Sequence, residues 1–180
     1  MRKQKGFTLI EMLVVIAIIA ILAGAVILAI NPAATMQKSR DATRLNDMDA
    51  LRSAINAALA EGEMQLILTG PHTSADTLQG VRGGADSAKD GYVRYTIPDG
   101  KVGLGRYLPA LPLDPVNEGD LVYTFQSTAD NYELNCVLEH PDNAVKMATD
   151  GGDNNPTVLE NGTYGDGGAY EVGTNLTLIH

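Results

Sequence analysis

Cysteine is nearly absent: Cys136 is the only one in 180 residues, which excludes an intrachain disulfide. Any loop that needs fastening must be held by other means. Cys136 itself reads as a small buried hydrophobe in a strand over residues 132–138. Tryptophan is absent and phenylalanine occurs only twice, which argues against an aromatic platform for stacking bases. The three histidines, His72, His140 and His180, lie far apart without metal-ligand spacing, and no Ser/His or His/Glu cluster stands out. The glycine-rich run at residues 80–91 lacks the lysine-serine/threonine ending of a phosphate loop. Nothing in this inventory points to an enzyme.

Positive charge is also scarce. Thirteen Lys and Arg face 22 Asp and Glu, for a net charge of −9. Between Asp120 and His180 there are ten acids and one base, Lys146. Such a surface repels phosphate backbones, which argues against a nucleic-acid partner. Solubility outside the cell is the plainer meaning of the charge.

What the sequence does have is one long apolar run. Residues 12–30 carry no polar side chain, and those 19 residues would rise ~28 Å as a helix. That matches the hydrocarbon thickness of a bilayer. Arg2, Lys3 and Lys5 precede it and would hold the N-terminus on the cytoplasmic side. The carboxylate of Glu11 sits at the start of the run, where lipid makes an unpaired charge costly. A secretory signal peptide could use Ala23-Gly24-Ala25 as its cleavage site, but the internal glutamate speaks against that. A plain signal anchor leaves Glu11 unexplained.

The sequence Gly6-Phe7-Thr8-Leu9-Ile10-Glu11 behind a short basic leader resembles the prepilin signal of type IV pilins and type II secretion pseudopilins. The resemblance covers about the first third of the chain. It implies that a membrane aspartyl protease, the prepilin peptidase/N-methyltransferase, cuts between Gly6 and Phe7 and methylates the new amine at Phe7. Loss of the three basic leader residues would take the net charge to −12. The amine at Phe7 and the carboxylate at Glu11 would then both lie in lipid. In a staggered stack of helices, Glu11 of one subunit can meet Phe7 of another, so the polymer relieves two unpaired burials.

The fold implied is α+β and pilin-like, a long N-terminal helix on a small antiparallel β-sheet head. The division expected is leader 1–6, membrane and assembly helix 7–30, amphipathic half 31–62 and head 63–180. Asn31-Pro32 reads as an N-cap with proline at the first helical position, a restart that also marks a kink. By resemblance, the stretch from Gly24 to Pro32 is a candidate for kinking or melting in a filament. Beyond it Leu45, Met48, Leu51, Ile55 and Leu59 recur at helical spacing, and Gly62 is a stop. The other faces carry Lys38, Arg40, Asp41, Arg44, Asp47, Asp49 and Arg52, with Asp41/Arg44 and Asp49/Arg52 at i,i+3. A continuous helix from Phe7 would be ~84 Å long.

In the head, Gly70-Pro71 and residues 80–91 read as connections and residues 92–97 as a weak strand. Three prolines within residues 109–115 exclude a regular element there, and this stretch partly resembles the Leu-Pro…Asp-Pro segment of major pseudopilins. Strands are expected at residues 121–125 and 131–139 as a hairpin, at 144–148, and at 170–179 with a break at Gly173. Asp150 and Asp153, in a loop ending Asn154-Asn155-Pro156, offer oxygens of the kind calcium takes, and major pseudopilins bind calcium in a comparable loop. A solvated turn uses the same residues. Two Asn-x-Thr triplets, at Asn161 and Asn175, carry little meaning in a prokaryote.

The function this implies is a non-enzymatic structural subunit of a type IV pilus-like surface filament. It would start as a single-pass protein of the inner membrane with its head outside the cytoplasm. Its partners would be membrane lipid, further copies of itself, and indirectly an assembly platform and ATPase. A pseudopilin serving protein export and a minor pilin acting as tip adhesin or DNA receptor are the alternatives.

Overall fold

The computed structural model describes residues 6–75, 91–159 and 167–179. The chain divides into two compact units, Met1–Gln37 and Lys38–His180. The first consists of helix α1 (Leu9–Ile30) and the opening of helix α2 (Pro32–Ala60). The two helices are not continuous. Asn31 takes a left-handed conformation (φ 44°, ψ 80°) and ends α1. Its side-chain Oδ1 accepts from the Ala34 N–H at 3.4 Å, which caps the helix that Pro32 opens. A single long helix is therefore corrected to two, broken at the residue that the Asn-Pro pair marks.

In the second unit, β2 (Thr69–Thr73), β4 (Tyr123–Ser127), β5 (Tyr132–Cys136) and β6 (Tyr170–Gly173) form an antiparallel sheet in the order β2-β4-β5-β6. A two-stranded ladder pairs β1 (Gln65–Leu66) with β3 (Tyr95–Thr96). The expected helix stripe is the core: Met48, Leu51 and Ile55 are fully buried, with Leu45 and Leu59 packed at the margin. They join Tyr123 and Phe125 of β4 and Tyr132, Leu134 and Cys136 of β5. The fold is α+β and pilin-like, a long apolar N-terminal helix with an antiparallel sheet.

The hairpin at β4 and β5 forms as the alternation of its residues requires. Other expectations are corrected. Residues 144–148 are no strand: Ala144–Met147 is a short helix, α3, behind a 3-10 turn at Pro141–Asn143. His140 starts this turn, its Nδ1 accepting from the Asp142 N–H at 3.1 Å. Ala144 and Met147, three apart, are buried while Val145 is exposed, a helical and not a strand period. Gly70-Pro71, read as connection, lies inside β2. Proline is tolerated there because β2 is an edge strand whose register shifts between Thr69 and His72. The weak strand at 92–97 pairs only at Tyr95–Thr96. The last strand stops at Gly173, where a Cβ would run into the Tyr132 carbonyl oxygen. Residues 109–115 form no regular element, as their prolines require. The connection at 80–90, the triplet at Asn161, leader residues 1–5 and His180 lie outside the described residues.

Candidate functional site

In the first unit the candidate site is the start of α1. Every described residue from Gly6 to Ile27 is exposed, including Phe7 at 81% and Leu9 at 83%. Leu9–Ile27 is long and apolar enough to cross a membrane. Glu11 is not left bare in the single chain. Its Oε2 accepts from the Thr8 N–H and from the Thr8 hydroxyl, each at 2.7 Å. The Glu11 N–H in turn donates to Thr8 Oγ1 at 3.3 Å. This is a reciprocal capping box, and it satisfies donors at a helix end that lipid would otherwise strand. The sequence reading passed over Thr8, although Thr-x-x-Glu before an apolar run is its signature. Gly24 lies within α1 with open space where a Cβ would stand, and Pro32 is the first residue of α2.

In the second unit, two residues expected on the polar faces of the helix are instead fully buried. Asp41 and Arg44 are both 0% exposed. Arg44 forks onto Asp114, Nε to Oδ2 at 2.5 Å and Nη2 to Oδ1 at 2.8 Å. Its Nη1 reaches Asp41 Oδ1 at 3.0 Å and Glu139 Oε1 at 2.6 Å. Arg40 donates to Glu139 from the other side. The acids are further tied to backbone: Asp41 accepts from the N–H groups of Glu139 and His140, and Asp114 from those of Val116 and Asn117. The Arg40 guanidinium, seconded by Arg44, holds the Glu139 carboxyl down at about 2 despite burial. Burial opposes the charge on Arg44, and the hydrogen bonds to Asp114 and Glu139 outweigh it. The cluster pins the helix, the proline-rich segment and the chain after β5 to one another. Asp49 and Arg52 form the exposed i,i+3 pair their spacing predicts.

The loop after α3 is fastened by carboxylates. Asp150 Oδ1 accepts from the Gly152 N–H and Oδ2 from the Glu171 N–H. Glu171 Oε2 accepts from the Asn154 N–H at 3.1 Å. Among the described residues no group of three or more His, Cys, Asp or Glu side chains is placed to hold a metal. The C-terminal segment is held the same way: Glu133 Oε2 accepts from the N–H groups of Leu178 at 2.6 Å and Ile179 at 3.2 Å. These contacts do the fastening that a disulfide cannot. Cys136 is buried and unpaired in β5, and burial pushes its thiol up.

Residues 1–27 match the family model of the prokaryotic N-terminal methylation motif. The chain is 40% identical over 91 residues to the type IV major fimbrial protein FimA of Dichelobacter nodosus, covering 51% of this chain and 52% of that protein. It is 37% identical over 78 residues to a type IV major alpha-pilin of Moraxella bovis, covering 43% and 48%. With fimbrial protein Q of Moraxella bovis it shares 43% over 63 residues, 35% and 39% of the two chains. The chain thus spans about half the length of the curated relatives it matches. No solved structure matches it significantly. Signal, apolar helix and relatives together support the type IV pilin family.

Proposed function

We propose that this chain is the precursor of a structural subunit of a type IV pilus-like filament. The observation that carries the reading is an apolar helix exposed over its whole described length, with one carboxylate, Glu11, a turn from Phe7. Such a helix needs lipid first and other copies of itself afterwards. Cleavage between Gly6 and Phe7 by a prepilin peptidase would free an amine, which the same enzyme would methylate. In the single chain Thr8 occupies Glu11, so membrane insertion does not require the amine. In the filament the Phe7 amine of a neighbouring subunit is the stronger partner, since a charged donor outbids a neutral one. The subunit would wait in the inner membrane with its head outside the cytoplasm until an assembly platform and its ATPase move it into the filament. No catalytic role is assigned. The relatives are named as pilins and fimbrial proteins, which favours a surface pilus over an export pseudopilus.

The test uses cells that make only one version of the subunit. Glu11→Val should be cleaved and held in the membrane, yet yield no purified surface filaments. Normal filaments from a correctly processed Glu11→Val subunit would overturn the assembly role. Gly6→Val should instead stop at processing, and mass spectrometry should find no chain that begins at Phe7.

A further inference from the structure

Opposite the core, the sheet buries two carboxyl groups on adjacent strands. Glu133 of β5 is 0% exposed and Glu171 of β6 is 1% exposed. Glu171 lies across from Asn135, and Glu133 across from Gly173, so the two acids are diagonal neighbours on one face. Glu133 lies close enough to raise the proton affinity of the Glu171 carboxyl, after burial itself. Each uses one oxygen to hold a separate piece of chain. Glu133 Oε2 takes the Leu178 and Ile179 amides of the C-terminal segment, and Glu171 Oε2 takes the Asn154 amide of the loop. Each has its other oxygen, Oε1, buried without a donor.

Two carboxylates this close, both out of water, cannot both be ionised without a cation or a proton between them. Among the described residues the groups that face the pair offer no cation, and β4 contributes neutral Gln126, across from Glu133. From β5 there is neutral Asn135, whose own amide atoms find no partner. From the loop there is Asp150, a further negative charge, which accepts from the Glu171 N–H, with Asp153 and Asn154 beside it in sequence. From the described part of the C-terminal segment come the two backbone N–H groups. We propose that Glu133 and Glu171 share one proton, and that this shared proton is a latch holding the C-terminal segment and the 150–156 loop on the sheet.

Burial, then the hydrogen bond and charge of Glu133, push the Glu171 carboxyl up to about 8. A carboxyl raised in the closed state favours closure below the ordinary glutamate value and loses that advantage as pH rises to about 8. The latch therefore holds tightest in mild acid, loosens across neutral pH, and changes no further above about 8.

The experiment is amide hydrogen exchange on the full chain in detergent micelles, with rates corrected for the intrinsic effect of pH. Protection of the Leu178 and Ile179 amides should fall by up to about tenfold per pH unit between pH 5 and 8, then level off. Amides of β4 should not follow. Glu171→Gln, which keeps a neutral donor beside Glu133, should abolish this pH dependence. If that variant does not fold, the wild-type Glu133 and Glu171 carboxyl carbon shifts decide. A step near pH 8 at the Glu171 carboxyl carbon that the Glu133 carbon also senses supports the latch, and an ordinary glutamate titration of Glu171 overturns it. Protection flat with pH in the wild type also overturns it. So does protection that calcium restores at pH 9 in the wild type, which would make the pair a cation site.

Discussion

Two of the places where the second unit buries charge are treated oppositely. Around Arg44, two guanidinium groups meet three carboxylates, and two of these, Asp41 and Asp114, take further hydrogen bonds from backbone. At Glu133 and Glu171 there are two carboxyl groups, no cation among the described residues, and a buried oxygen on each without a donor. Burial raises a carboxyl's affinity for protons, and a buried cation reverses this. Hence the same residue type, glutamate, sits at about 2 in one place and about 8 in the other. The first arrangement fixes a joint permanently. The second makes a fastening conditional on a proton.

The largest effect is expected at Arg44. Arg44→Met keeps the volume but leaves Asp41 and Asp114 buried without their cation, at a cost of about 3–5 kcal/mol. Denaturant unfolding of the full chain in detergent should show that loss. A change below about 1 kcal/mol would mean that water reaches the cluster.

The pH profile sharpens the comparison next. A depressed carboxyl contributes stability above its unfolded value and loses it as pH falls through the folded value, so Glu139 withdraws stability from about pH 4.5 down to about 2. Glu171 withdraws it in the other direction, from about 4.5 up to about 8. Between them these two groups place maximum stability near pH 4.5. Glu139→Gln should flatten the acid limb and cost about 1.5–3 kcal/mol at neutral pH. Glu171→Gln should flatten only the other limb. Melting temperatures at pH 3, 4.5 and 8 for the three proteins separate these outcomes.

The smallest effect belongs to the exposed control, Asp49 with Arg52. Their spacing matches Asp41 with Arg44, but the side chains are 59% and 48% exposed. Asp49→Ala should shift stability by less than about 0.5 kcal/mol, within the range of solvated helix pairs three or four residues apart. A loss as large as that of Arg44→Met would show that burial is not what separates the two clusters.

These outcomes track what was legible in the chain. Local pattern determined the apolar helix, its restart at Asn31-Pro32, the stripe from Leu45 to Leu59 and the β4–β5 hairpin, because each depends on neighbours within a few residues. The capping box of Thr8 and Glu11 is equally local and was there to be read. Only tertiary structure decided that Arg44 is buried, since its partners Asp114 and Glu139 lie 70 and 95 residues away. An i,i+3 acid-base pair looks the same whether water or a proline-rich segment covers it. In β5 the alternation of Tyr132, Leu134 and Cys136 with Glu133 and Asn135 reads as a strand with one wet face. Strand β6 and the C-terminal segment, far along the chain, bury that face too. Periodicity states which side chains point together. Whether the face they share is dry, and whether its charges have counter-charges, is settled by chain that arrives from elsewhere, and so is the proton affinity of Glu171.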